Sequence, residues 1–309
     1  MVAEGAPMNV LFHGVRGSAP APGAEFAEYG GDTPSIEIAA DNRRVFIDAG
    51  SGLKNFKPTA EDGCEFDLIL SHYHADHLIG LSFFPPLWIP GGRLRIWAPR
   101  FPGVDPVSAL GSFFSPPYAP VALHDAPKSV EIRAFTPGDA WRIEGDFEIS
   151  TSSQNHPGGS CAIAIAHGGA RTVYASDVEL RSEAEIDRIS EFARRADLLI
   201  VDAMWTPHEA DCRRGWGHSS YRDAIAAAEA AGVERAALFH HDPSRTDPEL
   251  RLLDAEAARL REGVFFARQG MTIALNSAML DASALMANRR EIAPWRCSRS
   301  DTFSRSPKP

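Results

Sequence analysis

Apolar residues in this chain fall mostly into short runs of about four to seven, bounded by Gly, Pro, Asp or Asn. That pattern suits strands packed on one or both faces. It predicts strands over Asn9–His13, Ser35–Ala39, Arg44–Ile47, Asp67–Leu70 and Arg93–Trp97. Further runs follow at Glu131–Phe135, Phe147–Thr151, Cys161–Ala166 and Arg171–Ala175, then at Asp197–Val201, Arg235–Phe239 and Gly263–Ala267. Helical periodicity crowds the second half. Ser182–Arg195 places Ile186, Ile189 and Phe192 opposite its charges, Tyr221–Ala231 is alanine-rich, and Asp247–Glu262 puts Leu250, Leu253, Ala257 and Leu260 on one stripe. Asp247 reads as an N-cap with Pro248 at the first helical position. Two sets of strands with helices supplied later predict an α/β architecture, a pair of sheets covered by helices.

Two segments break the pattern. Residues 82–90 (SFFPPLWIP) and 113–120 (FFSPPYAP) carry too much proline for a regular helix or a central strand. They are either surface loops with a few rings tucked into the core or a hydrophobic wall beside a site. From Ser277 onward the chain turns polar and arginine-bearing, which predicts one folded domain over residues 8–276 and a largely disordered tail over 277–309.

Composition narrows the class without deciding it. A chain of 309 residues with 44% hydrophobic and 23% charged positions can bury a sizeable core. A net charge of −10 disfavours broad attraction to nucleic acid or anionic membrane. Cys64, Cys161, Cys212 and Cys297 form no C-x-x-C pair and read as free thiols. Met1–Met8 carries no secretory pattern and no window reaches membrane-span length, so the expected location is the cytoplasm.

The chemistry concentrates in His72-Tyr73-His74-Ala75-Asp76-His77, directly after an apolar strand. Imidazole nitrogen and carboxylate oxygen are ligands that zinc and similar divalent ions prefer. More such residues stand at strand ends: His156 in the turn Gln154–Gly159, Asp177 after Arg171–Ala175, and His240 and His241 after Arg235–Phe239. Each alone is weak, but together they are not, because strand ends and the loops after them are where α/β sites gather.

The order H-x-H-x-D-H, His, Asp, His resembles the metallo-β-lactamase superfamily over about residues 9–275, and Phe46-Ile47-Asp48-Ala49-Gly50-Ser51-Gly52 adds a typical preceding segment. The resemblance implies an αββα sandwich of two mixed sheets flanked by helices, with two divalent metals in a cleft at one edge. Zinc comes first, and manganese or iron also suits these ligands. His72, His74 and His156 would hold one metal, and Asp76, His77 and His240 the other, with Asp177 bridging. His240 is preferred to His241 because it directly ends the apolar strand. Asp48 and Asp202, also at strand ends, would orient ligands from behind.

Within the superfamily, a cysteine would mark the antibiotic-hydrolysing enzymes at the place where this chain has Asp177. A bridging carboxylate instead suits two close metals and phosphoryl chemistry, with a shared hydroxide as nucleophile. Gly217-His218-Ser219-Ser220 is similar to the G-H-S-T segment of the tRNase Z and cyclic-nucleotide phosphodiesterase branch. There the His protonates the leaving oxygen or contacts the phosphate, which makes Asp76 and His218 the catalytic candidates and Ser219 a substrate contact. Ser220 with Asp223 would also cap the following helix. Gly14-Val15-Arg16-Gly17-Ser18 resembles the same branch, and Arg16 would either meet a phosphate or pin its loop to backbone.

The expected protein is therefore a binuclear metal-dependent phosphodiesterase acting on a small or cyclic phosphodiester, soluble, with a homo-oligomer allowed. One competing reading is a tRNase Z-like ribonuclease, although the chain has no long Gly/Pro-rich insertion of the kind used there to hold substrate. The other is a non-catalytic metal-binding sensor or scaffold.

Overall fold

The computed structural model describes residues 7–59 and 62–275, so the tail expected over 277–309 lies outside the described residues. The first half of the chain supplies β1 (Met8–Gly14), β2 (Ser35–Ala40), β3 (Arg43–Ile47), β4 (Glu65–Ile69), β5 (Arg93–Pro99) and β6 (Ser129–Phe135). The second half supplies β7 (Ala140–Ile143), β8 (Phe147–Gln154), β9 (Ser160–His167), β10 (Ala170–Ala175), β11 (Leu198–Asp202), β12 (Arg235–Phe239) and β13 (Val264–Phe266). Finally β14 (Thr272–Leu275) crosses back to pair with β1. Two mixed sheets result, ordered β14-β1-β2-β3-β4-β5-β6 and β13-β12-β11-β10-β9-β8-β7.

Alternation along the strands builds three apolar layers from these two sheets. On β11, Leu198 and Ile200 face the core between the sheets, while Leu199 and Val201 face the helices outside. Phe12 of β1 meets Phe239 of β12 across the gap at 6.1 Å between ring centroids. The outer face of the second sheet is covered by α2 (Glu183–Ala193), α4 (Tyr221–Ala231) and α5 (Asp247–Leu260), after the shorter α1 (Pro106–Phe113) and α3 (Pro207–Cys212) in chain order. The outer face of the first sheet carries α1 and short 3-10 turns at Leu81–Phe83 and Pro85–Trp88. This is the αββα sandwich.

Several local expectations change. The strands β7 and β14 were not foreseen. Asp105 caps α1 by accepting the Ser108 N–H at 2.9 Å, with Pro106 in the first turn, so the helix enters the segment expected to be loop from 113. The cap of α5 is Thr246, which donates to the Glu249 carboxylate, rather than Asp247. Asp247 instead accepts the N–H groups of Glu28 and Tyr29 at 2.7 and 3.1 Å. In the two proline-rich segments Phe84, Leu87 and Phe114 are buried while Phe83, Trp88 and Tyr118 are exposed. No helix among the described residues is long and apolar enough to cross a membrane.

Candidate metal centre

Five strand ends converge at one edge of the sandwich. The first sheet contributes Asp48, directly after β3, and the loop 70–77 after β4, which closes in a 3-10 turn at Ala75–His77. The second sheet contributes His156 after β8, Asp177 after β10 and His240 directly after β12. Asp48, Asp177 and His240 all adopt left-handed backbone, with φ of 59°, 56° and 63°. Non-glycine residues seldom take this conformation, and its concentration here turns three side chains sharply out of their strands and into the cleft.

The gathered atoms form three overlapping groups, one of them Asp177 with His218 and His240, and the other two lie on either side of the Asp177 carboxylate. Of those two, His72, His74, His156 and Asp177 make the first, and Asp76, His77 and His240 the second. In the first, His156 Nε2 lies 3.1 Å from His74 Nδ1, and Asp177 Oδ1 lies 3.7 and 3.6 Å from Nε2 of His72 and His156. In the second, Asp76 Oδ2 is 3.3 Å from Nε2 of both His77 and His240, which stand 3.4 Å apart. Asp177 Oδ2 turns to this side, at 3.1 Å from His77 and 3.3 Å from His240.

These spacings fit divalent cations. Four ligands on bonds of about 2.1 Å in a tetrahedron are separated by about 3.4 Å, close to the edges found here. The buried Nε2 of His72 has no hydrogen-bond partner among the described residues, as suits an atom meant for an ion. Burial holds the His72, His74 and His156 imidazoles below their ordinary pKa, hence neutral, the form that ligates. Burial opposes ionisation of Asp76 and Asp177, yet the facing histidines outweigh it and keep both carboxylates well below the usual range.

Behind the cluster, other carboxylates fix the rings. His77 Nδ1 donates to Asp48, which also accepts from the Ser71 N–H and hydroxyl and from the Tyr174 hydroxyl. His156 Nδ1 donates to the Gly217 carbonyl at 2.9 Å. Asp202 accepts from His218 Nδ1 at 2.8 Å, from the Ser219 N–H at 2.9 Å and from the Asp177 N–H at 3.2 Å. Burial disfavours charge on His218, but Asp202 prevails and raises its pKa to about 9. The His218 ring stacks on His240 with centroids 4.8 Å apart and lies 5.4 Å from His156. Ser220 and Asp223 form the capping box of α4 immediately after it.

Not every expected residue reaches the cleft. Arg16 is wholly buried, and its guanidinium donates to the carbonyls of Gly30, Asp242 and Arg245, so it pins its loop and does not face a phosphate. The Ser219 hydroxyl donates to the Val178 carbonyl at 2.6 Å and accepts from the Leu180 N–H, which leaves no free hydroxyl for substrate. His241 turns away, its Nε2 donating to the Ala267 carbonyl at 2.8 Å, while His240 enters the cluster. Sequence reasoning missed Ser18, whose N–H donates to Asp76 Oδ2 at 2.8 Å, and Gly17, which packs against the His240 ring. Both belong to the Gly14–Ser18 segment, whose backbone rather than its arginine meets the site.

Comparison with known proteins agrees with this fold. The model of the beta-lactamase superfamily domain matches residues 43–241, a span that holds Asp48 and every residue of the cluster. Ribonuclease Z of Pyrococcus furiosus is 25% identical, over 76% of this chain and 87% of its own length. Among solved structures, the metallo-beta-lactamase fold protein YhfI from Bacillus subtilis superposes with a TM-score of 0.65 at 22% identity, over 87% of this chain and 99% of its own. A diphosphatase from the PhnP family gives 0.63 at 19% identity, over 86% and 97%.

Proposed function

The chain belongs to the beta-lactamase superfamily, a family of metal-dependent hydrolases, and from that premise we propose that it is a binuclear phosphodiesterase acting on a small or cyclic phosphodiester. The observation that carries this reading is Asp177, one carboxylate whose two oxygens face two separate ligand groups. A hard oxygen shared in this way suits paired divalent ions on a phosphoryl group better than a thiolate would.

His72, His74 and His156 would hold one ion, Asp76, His77 and His240 the other, and Asp177 both. Zinc fits the N/O donor set first. Bound there, such ions supply Lewis-acid polarisation and a nucleophile at neutral pH. The chain's own residues supply position and a proton. Asp202 engages Nδ1 of His218, so Nε2 is the atom left to donate to a leaving oxygen. Asp48 and the Gly217 carbonyl hold His77 and His156 through Nδ1, which leaves each Nε2 turned into the cluster where it would ligate an ion. Ribonuclease Z and diphosphatase, the names of two relatives, both describe cleavage at phosphorus–oxygen bonds and support the same bond type here. A ribonuclease reading draws on the first of them, but the net charge of −10 weighs against a polyanionic substrate.

The test is metal analysis joined to a substrate panel. Purified, metal-loaded protein should cleave bis(p-nitrophenyl) phosphate and one or more cyclic nucleotides, with about two ions per chain. Cleavage of a lactam or thioester with phosphodiesters left intact would overturn the proposal. RNA cleavage, with binding that falls steeply as salt rises, would favour the ribonuclease reading instead.

A further inference from the structure

Two residues before His218 stands a tryptophan that the chain has gone to some length to fix in the open. Trp216 is 61% exposed, yet the backbone on either side of it is clamped. The N–H groups of Gly215 and Gly217 both donate to the buried carboxylate of Glu179, each at 3.0 Å. Both glycines hold left-handed φ, 80° and 85°, and a Cβ on Gly217 would sit 2.2 Å from His156 Nδ1. The Gly217 carbonyl is itself the acceptor for that nitrogen. The loop is therefore locked to the metal centre on one side of Trp216 and to Glu179 on both.

Ring contacts continue from Trp216 into the site. Trp216 meets Trp205 edge-on at 6.4 Å, and Trp205 meets His218 at 6.2 Å. The Arg213 guanidinium lies over Trp205 at 4.4 Å and toward Trp216 at 6.0 Å. Arg213 has no carboxylate ion pair among the described residues and makes one long contact to the Glu209 carbonyl. An exposed indole on a clamped loop, beside a guanidinium with no carboxylate partner among the described residues and linked through Trp205 to His218, forms a surface for a flat ring attached to an anion.

We infer that Trp216 is the stacking surface for a nucleobase, so that the substrate is a nucleotide and not a base-free phosphodiester. This rests on the phosphodiesterase reading for the phosphate end alone. Base–indole stacking typically contributes about 1–3 kcal/mol, which corresponds to roughly 5- to 150-fold in affinity. A face already held open loses little conformational freedom on binding. The positive charge of Arg213 beside the indole adds attraction for an anionic ligand.

The experiment compares AMP with ribose 5-phosphate by titration calorimetry on the metal-loaded full chain. AMP should bind about 10-fold tighter or more, Trp216→Ala should erase the difference while leaving ribose 5-phosphate unchanged, and Trp216→Phe should keep part of it. Equal binding of the two ligands, no binding of AMP at millimolar concentration, or a base preference that survives Trp216→Ala would overturn the inference. Base preference without turnover of any phosphodiester would retain the inference and remove the proposed function. Turnover without base preference would do the reverse.

Discussion

The Asp48 carboxylate grips the rear of His77: Oδ2 lies 2.7 Å from Nδ1, and neither side chain reaches solvent. With Ser71 and Tyr174 completing its contacts, Asp48 can neither swing away nor be replaced by water. Asp48→Ala should therefore weaken metal binding by about 10- to 100-fold, the usual effect of losing such a support. Competition against a chromogenic chelator measures this, and unchanged affinity would remove the orienting role.

His218 depends on Asp202 for its charge. In the metal-free chain its proton should be lost near pH 9, and Asp202→Asn should bring that titration down, as NMR of the ring would record. Because the folded pKa is raised, the stabilisation from this pair is complete below the unfolded value of about 6.5 and disappears as pH climbs through 9. His218→Ala should lower turnover by about 10²- to 10⁴-fold with metal content intact. If His218→Ala empties the site, the residue is a ligand and its assignment as proton donor fails.

Gly17 leaves room for His240 and nothing else. A Cβ there would stand 2.3 Å from Nδ1 and 2.4 Å from Cε1 of that ring. Gly17→Ala should displace His240 and deplete the ion held with Asp76 and His77, with the thermal midpoint of the metal-free chain little changed. Metal counting by mass spectrometry decides it, since two ions retained would mean that the ring can yield.

How much of this could be read before folding depended on the range of the interaction. Apolar runs and helical stripes are local, so twelve strands and three helices were visible, whereas β7 and β14 were not. The Asp105-Pro106 start of α1 was local too, but the proline-rich segment just beyond obscured it. Histidines and Asp177 at strand ends were legible because strand ends cluster in such folds. The fate of Arg16 was not, since one of the carbonyls it meets belongs to Asp242, 226 residues away. Left-handed backbone at Asp48, Asp177 and His240 likewise has no pattern in the sequence.

His241, the neighbour that turns away from the cluster, should govern part of the acid limb. Burial, then the nearby Arg16 charge, lowers its pKa to about 3. With the folded value depressed, the unfolded chain takes up this proton first, so stability present above about 6.5 is lost as pH falls toward 3. Between pH 6.5 and 4.5 this amounts to about 2–3 kcal/mol. His241→Asn should be less stable at pH 7 yet flatter across that window, and parallel urea-midpoint profiles for the two proteins would contradict it.

The two ligand groups draw on both sheets, and Asp76 and His240, which face one another across the cluster, are 164 residues apart in the chain. An ion held between them would act as a staple closing a long loop of the chain, and long closures are those that most restrict an unfolded chain. Metal loading would then report on assembly. A nascent chain that has made only β1 to β6 offers His72, His74, Asp76 and His77 but none of the partners from the second sheet. The ions would be retained only by a molecule whose two halves have met, and chelation should lower the cooperativity with which those halves come apart.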